Sequence, residues 1–318
     1  MILGWMVYSI LLASCAAAAA QAFELMARRV GRPTRWVWAV AVVVSVGMSE
    51  VARSWPLGIL TYVLPRAESA PWLTAPASAF FQAYNPLDRW NLPLSIALWT
   101  SSALVAAFFA VSLARLVQRR RAWRASVVDG HPVLVSESDG PAVFGFGRGT
   151  IVLPRWALAA DAPVRELMLV HELEHQRAGD PRLLLLALAA VLLQPWNPVV
   201  WWLARHLRLA VEVDCDARVL GRGLDVRTYG LVLLEAGRRA AACRLPMPAL
   251  SMPPSSLEER LRVMCERRAG HARAGALGLV VVLAVGAAAF LPEPSGLHCA
   301  LEAQGFPTGQ VAHGAAGR

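Results

Sequence analysis

Long apolar runs joined by short, arginine-rich polar segments set the pattern of this chain. Four of them approach the ~20 residues that a helix needs to cross ~30 Å of hydrocarbon. They are Ile2 to Phe23, Trp36 to about Trp55, Leu94 to Val117, and Ala274 to Leu291. The second carries Glu50 and Arg53 in its last turns, which places both at the outer interface with Trp55 as a belt residue. A fifth stretch, Leu183 to Ala204, contains no charged residue, yet Pro195, Asn197 and Pro198 break its middle. That combination predicts a helical hairpin that dips into the inner leaflet or lies on it and returns to the side it left. Between the third and fifth runs the pattern shortens. Pro132 to Ser136, Ala142 to Phe146 and Thr150 to Leu153 read as strands, separated by glycine-containing turns. Asp161-Ala162-Pro163 then opens a helix that Gly179-Asp180-Pro181 closes, and Trp201 to Leu220 reads as another, ending at Gly221.

Composition agrees with this division. Hydrophobic residues make up 56% of the chain and charged residues 17%, with a mean hydropathy of +0.45. Those values exclude an ordinary soluble enzyme. The expected fold class is an α-helical integral membrane protein of about four transmembrane helices with a cytoplasmic α+β domain. Residues 1–118 form a membrane region with an external proline-rich loop at 50–92. Residues 119–272 form the cytoplasmic domain, including the hairpin at 183–204. Residues 273–291 are the last span and 292–318 a short external tail.

Placement of the +9 charge gives the orientation. Arg28, Arg29, Arg32 and Arg35 follow the first span; Arg115, Arg119, Arg120, Arg121 and Arg124 close the third. Arg260, Arg262, Arg267, Arg268 and Arg273 precede the fourth. Positive-inside reasoning puts the N-terminus out and residues 119–272 in the cytoplasm of a bacterial inner membrane. The basic runs abut spans instead of lining one surface, so direct nucleic-acid binding is not expected. Cys15 follows a loose lipoprotein-like box, but charges come after the apolar run and not before it, which is the orientation of a retained anchor. The chain has no lysine, which removes Walker, Schiff-base and Ser-x-x-Lys chemistry.

The polar domain holds one concentrated motif. His171-Glu172-Leu173-Glu174-His175 places two imidazoles four residues apart, one above the other on a helix face. Both could present a ring nitrogen to one zinc ion, with Glu172 beside them to take a proton from water. A third ligand is expected from Glu212-Val213-Asp214-Cys215-Asp216 on the later helix. Glu212 is the first choice; Asp214 and Asp216 compete with it. Glu212 and Asp216 lie four apart, so one could bind metal while the other orients a ligand histidine. His206, Tyr229 and His131 are candidate oxyanion donors, and the Thr150 to Leu153 strand a candidate edge for an added substrate strand.

The ordered series Ile151-Val152-Leu153-Pro154, His171-Glu172-Leu173-Glu174-His175 followed by Asp180, Asn197-Pro198 with Trp201-Trp202, and Glu212 through Asp216 with Val219-Leu220 resembles the BlaR/MecR-type antirepressor membrane metallopeptidases, which are gluzincin-like zinc enzymes. The resemblance covers roughly the first 290 residues in architecture. It implies a zinc metalloendopeptidase with one ion, held by His171, His175 and Glu212, and Glu172 as general base. Asp216 and Asp180 are expected beside the ligands. It further implies cleavage of a cytosolic protein, such as a transcriptional repressor, or of the chain itself. Receptor members carry a large external penicillin-binding domain after the last span. Here Pro292 to Arg318 follows, so direct covalent β-lactam sensing by this chain is not expected.

Two other readings stand beside this one: a signalling or scaffold protein with a structural zinc site, and a housekeeping membrane protease. The intact Glu172 weighs against a structural site, which needs no base. The lipid bilayer is an expected partner, and a homodimer is an option that the sequence leaves open.

Overall fold

The apolar runs become helices at the expected places. The computed structural model describes residues 2–54, 90–137, 139–145, 149–242 and 254–266. Helices α1 (Ile2–Arg29), α2 (Arg35–Ser54) and α3 (Asn91–Arg120) match the first three runs. The fourth run, 274–291, the tail at 292–318 and most of the 50–92 loop lie outside the described residues.

Among the described residues, two helices are long and apolar enough to cross a membrane, α1 over Trp5–Arg29 and α3 over Asn91–Arg120. The α2 helix is shorter and carries Arg35, Glu50 and Arg53. It buries Trp38, Val42 and Val46 against alanines Ala13, Ala17 and Ala20 of α1. Small residues at such a seam let helix backbones approach closely. On α3, by contrast, Leu92, Ile96, Trp99 and Leu104 are exposed.

Leu183 to Ala204 is the bent segment that its prolines predict. Helix α6 (Asp180–Leu193) runs out, Asn197 caps the return by accepting from the Val199 N–H at 3.0 Å, and α7 (Pro198–Leu220) runs back. The two arms pack on α2 through Leu183, Ala187, Val191, Val200, Leu203 and Leu207. Both ends of the hairpin are therefore on one side, as a shared metal site requires. Its tip packs against the start of α1 and the far end of α2. Trp196 lies 5.0 Å from Trp5, ring to ring, and Gln194 donates to Ser49 Oγ and to Glu50. Gln194 and Asn197 are fully buried, and Asn197 Nδ2 donates to Gln194 Oε1 at 3.2 Å.

The polar domain starts where α3 ends. Strands β1 (Arg124–Val128), β2 (His131–Ser136), β3 (Ala142–Phe144) and β4 (Thr150–Pro154) form one sheet in the order β1-β2-β4-β3. The β1–β2 hairpin turns at Asp129-Gly130, both at positive φ, the backbone that a tight two-residue hairpin turn needs. β4 pairs in parallel with β2 and antiparallel with β3. It is thus interior, with Ile151, Val152 and Leu153 buried on both faces. That corrects the expectation that Thr150 to Leu153 offers an edge to substrate: β1 and β3 are the edges.

A short helix, α4 (Arg155–Leu158), leads to α5 (Ala162–Ala178), which carries the histidine pair. Pro163 sits in its first turn, and Gly179 ends it at φ 68. Leu169 and Leu173 pack on Val133, Ile151 and Leu153 of the sheet. Leu167 and Met168 face Cys215, Val219 and Tyr229. Helices α8 (Val226–Ala242) and α9 (Pro254–Glu266) close the far side. We predict that Leu153→Ala destabilises the chain by about 2–5 kcal/mol, the usual range for a truncated core leucine. Thermal unfolding of the full chain in detergent reads this as a lowered midpoint. Val127→Ala, at an exposed position of β1, shifts stability by no more than about 0.5 kcal/mol.

Candidate metal centre

Helical spacing puts His171 and His175 one turn apart on α5, and their Nε2 atoms approach to 3.2 Å. Each ring is held from behind by its other nitrogen. His175 Nδ1 lies 2.8 Å from Asp180 Oδ2, and His171 Nδ1 lies 2.8 Å from the Tyr229 hydroxyl. Tyr229 donates to Asp216 Oδ1 at 2.7 Å, so its oxygen accepts from His171 Nδ1–H. Both Nε2 lone pairs are then turned to the same point, the tautomer a metal ion requires.

Glu212 of α7 completes a triangle. Its Oε2 lies 3.6 Å from His171 Nε2 and 3.7 Å from His175 Nε2. Ligands at ~2.0–2.1 Å around a tetrahedral zinc ion stand about 3.3–3.4 Å apart. The three atoms therefore fit one ion. A second donor competes: His171, His175 and Cys215 also bring ligand atoms within 4.8 Å of one another. Cys215 Sγ, however, faces the Nδ1 and carbonyl oxygen of His171, each at 3.5 Å. The Nε2 atoms converge with Glu212, while the thiol approaches the back of one ring.

The other acids of this region are engaged elsewhere. Asp214 Oδ1 accepts from the Thr34 N–H at 3.0 Å and Oδ2 from the Arg35 N–H at 2.9 Å, so it caps α2 and is turned away from the histidines. Asp216 receives a fork from Arg260, Nε to Oδ2 at 2.8 Å and Nη2 to Oδ1 at 2.7 Å. Arg260 Nη1 also reaches Glu212 Oε2 at 3.1 Å. Glu174, the second glutamate of the motif, pairs with Arg177, Arg218 and Arg222 and ties α5 to the end of α7. Asp180 thus meets His175 Nδ1 directly, and Asp216 meets His171 Nδ1 through the Tyr229 hydroxyl.

Electrostatics follow from this crowding. Burial works against charge on His171, but Cys215 and Glu212 outweigh it and raise the ring to about 10. His175 is likewise raised against its burial, by the bond to Asp180 and by Glu212. Burial alone would lift Glu212, yet Arg260 and the two imidazoles hold it well below the usual carboxylate range. Glu172 is only 6% exposed. Burial lifts its carboxyl, with the neighbouring histidines opposing, which makes it a better proton acceptor than an ordinary glutamate.

The candidate oxyanion donors do not gather here. His206 Nδ1 meets its own helix at Trp202 O and its ring packs between Trp38 and Trp202. His131 pairs with Val128 at the β1–β2 turn. Tyr229 touches the centre, but its hydroxyl is committed to His171 and Asp216. Sequence reasoning missed the roles of Arg260 and Tyr229 behind the ligands, since both lie on helices with no motif of their own.

The family described as BlaR1 peptidase M56 matches residues 74–264, more than half of the chain, and the chain belongs to that family. Regulatory protein BlaR1 of Bacillus licheniformis is 31% identical over 98 residues, which cover 30% of this chain and 16% of that protein. The chain thus aligns with about a sixth of that relative's length.

With His171 raised to about 10, a metal ion competes with a proton for its Nε2. Apparent zinc affinity is therefore expected to rise with pH through the neutral range, with at least about one proton released per ion. Calorimetry of zinc binding in buffers of different ionisation enthalpy measures that release. Equal heats in all buffers would show that the rings are already neutral.

Proposed function

We propose that this member of the BlaR1 peptidase M56 family is a membrane-bound zinc metalloendopeptidase. The convergence of two imidazole Nε2 atoms and one carboxylate oxygen beside the buried Glu172 carries the reading. His171, His175 and Glu212 hold the ion, Asp180 and Tyr229 fix the two rings, and Arg260 with Asp216 braces Glu212 and Tyr229. When bound, zinc acidifies a coordinated water and polarises the scissile carbonyl. Glu172 accepts the water proton and passes it to the leaving amine.

The cytoplasm is the compartment that the charge pattern favours. The basic end of α3 (Arg119, Arg120) leads into the polar domain, and the loop after the basic end of α1 (Arg28, Arg29) meets Asp214 of α7 through Thr34. A substrate on that side is a cytosolic protein. A regulator such as a repressor, or the chain itself, suits a relative named as a regulatory protein. One feature favours a second reading: Cys215 is a donor typical of closed structural zinc sites. In that reading the ion holds α5 to α7 and turnover is incidental.

Glu172→Gln separates the two. It is expected to keep stoichiometric zinc and lose cleavage of a cytosolic substrate by about 10²–10⁴-fold, the range for removal of a general base. Cleavage profiling of cytosolic proteins, with zinc content measured on the same samples, checks this. Undiminished cleavage would remove Glu172 from the chemistry, and lost zinc would make it a ligand. Glu212→Ala is expected to lower zinc content; full retention would pass the third position to Cys215.

A further inference from the structure

The loop between α1 and α2 reaches into the metal centre from the membrane region. Arg35, the first residue of α2, donates from Nη1 to Asp180 Oδ1 at 2.9 Å. Asp180 is 1% exposed, and its other oxygen holds His175 Nδ1 at 2.8 Å and takes Arg218 Nη2 at 2.8 Å. A single carboxylate thus joins α2 to a ligand imidazole. Next to it, Asp214 caps the same helix end through Thr34 and Arg35, two residues along α7 from Glu212. Both arms of the α6–α7 hairpin are therefore fastened to the first turn of α2.

At its opposite end α2 is fastened again. Gln194, at the tip of the α6–α7 hairpin, bonds Ser49 and Glu50. The two attachments are the same number of residues apart on each helix, Arg35 to Ser49 and Asp180 to Gln194. That is about 21 Å at helical rise. The α2 helix thus lies along α6 in matched register, with its inner face packed through Trp38, Val42 and Val46. A hydrogen-bonded helix packed tightly along one face moves as a body, so a shift at the Ser49 end appears at Arg35.

We propose that α2 is a coupling rod, with Arg35 as a positioning residue that sets the orientation of His175 through Asp180. A displacement of α2 along α6 then changes how well the centre holds its ion. The inference rests on the metal reading above and not on which bond is cleaved.

Zinc affinity of the full chain in nanodiscs, measured by chelator competition, tests it. Arg35→Gln is expected to weaken zinc about tenfold, the lower end for loss of a group that orients a ligand. The same change on an Asp180→Asn background is expected to have no further effect, since the link is already cut. Phe109→Ala, which removes a buried ring of α3 and leaves α2 and its two attachments in place, is expected to leave zinc affinity unchanged while lowering the thermal midpoint. If Arg35→Gln fails to fold, Arg35→Lys keeps the charge, loses the planar fork and is expected to weaken zinc in the same direction. Unchanged affinity in the folded Arg35 variant, or equal loss with Asp180 already replaced, would overturn the coupling while leaving the metal site intact. A parent chain that binds no zinc would overturn the metal reading and the coupling with it.

Discussion

Three aspartates on one helical hairpin are nearly sealed from water, a glutamate beside them is mostly so, and each must be met by a cation or by N–H donors. Unpaired, any of them would cost several kcal/mol. Asp180 takes Arg35, Arg218 and His175; Asp214 takes the first turn of α2. Asp216 takes Arg260 and Tyr229, and Glu212 faces His171, His175 and Arg260. Through these bonds the α6–α7 hairpin gathers α2, α5, α8 and α9 around itself. Apolar packing brings the helices close, but it has no direction. The carboxylates fix rotation and register, and so decide which atoms converge.

That division of labour explains the form of the centre. Its two histidines come from one helix, so their mutual geometry is local and is set by α5 alone. Everything else about the site is imported. The candidate third ligand comes from α7, the backing groups from α6 and α8, and a guanidinium from α9. Burial raises the cost of each unpaired group and so makes the assembled arrangement strongly preferred over a partial one. Both rings are raised by the neighbouring thiol and carboxylates, so a metal ion competes with a proton there, and the low-lying Glu212 is ready to receive the ion.

What the sequence reveals follows the same line between local and imported. The motif helix is legible because Pro163 and Gly179 bound it and the histidine spacing fits its turn. The hairpin is legible because proline and asparagine interrupt an uncharged run. Glu212 is legible because it pairs with Asp216 at helical spacing. Strand β1 is not, since Arg124 to Val128 is an exposed edge without apolar alternation. The capping role of Asp214 is hidden for another reason. Its partners at Thr34 and Arg35 are close only through tertiary packing, so nothing near residue 214 announces them. The same holds for Arg260 and Tyr229, whose chemistry appears only once α8 and α9 dock. Cys215 is the reverse case: it is plain in the sequence, but its closeness to both histidines emerges only in three dimensions.

The central claim is that His171, His175 and Glu212 hold the ion while Cys215 stays behind one ring. X-ray absorption of the zinc-loaded full chain tests it most directly. A first shell of nitrogen and oxygen at about 2.0–2.1 Å, with no sulfur contribution, is the predicted result. A sulfur scatterer at about 2.3 Å would place Cys215 on the metal and contradict the account.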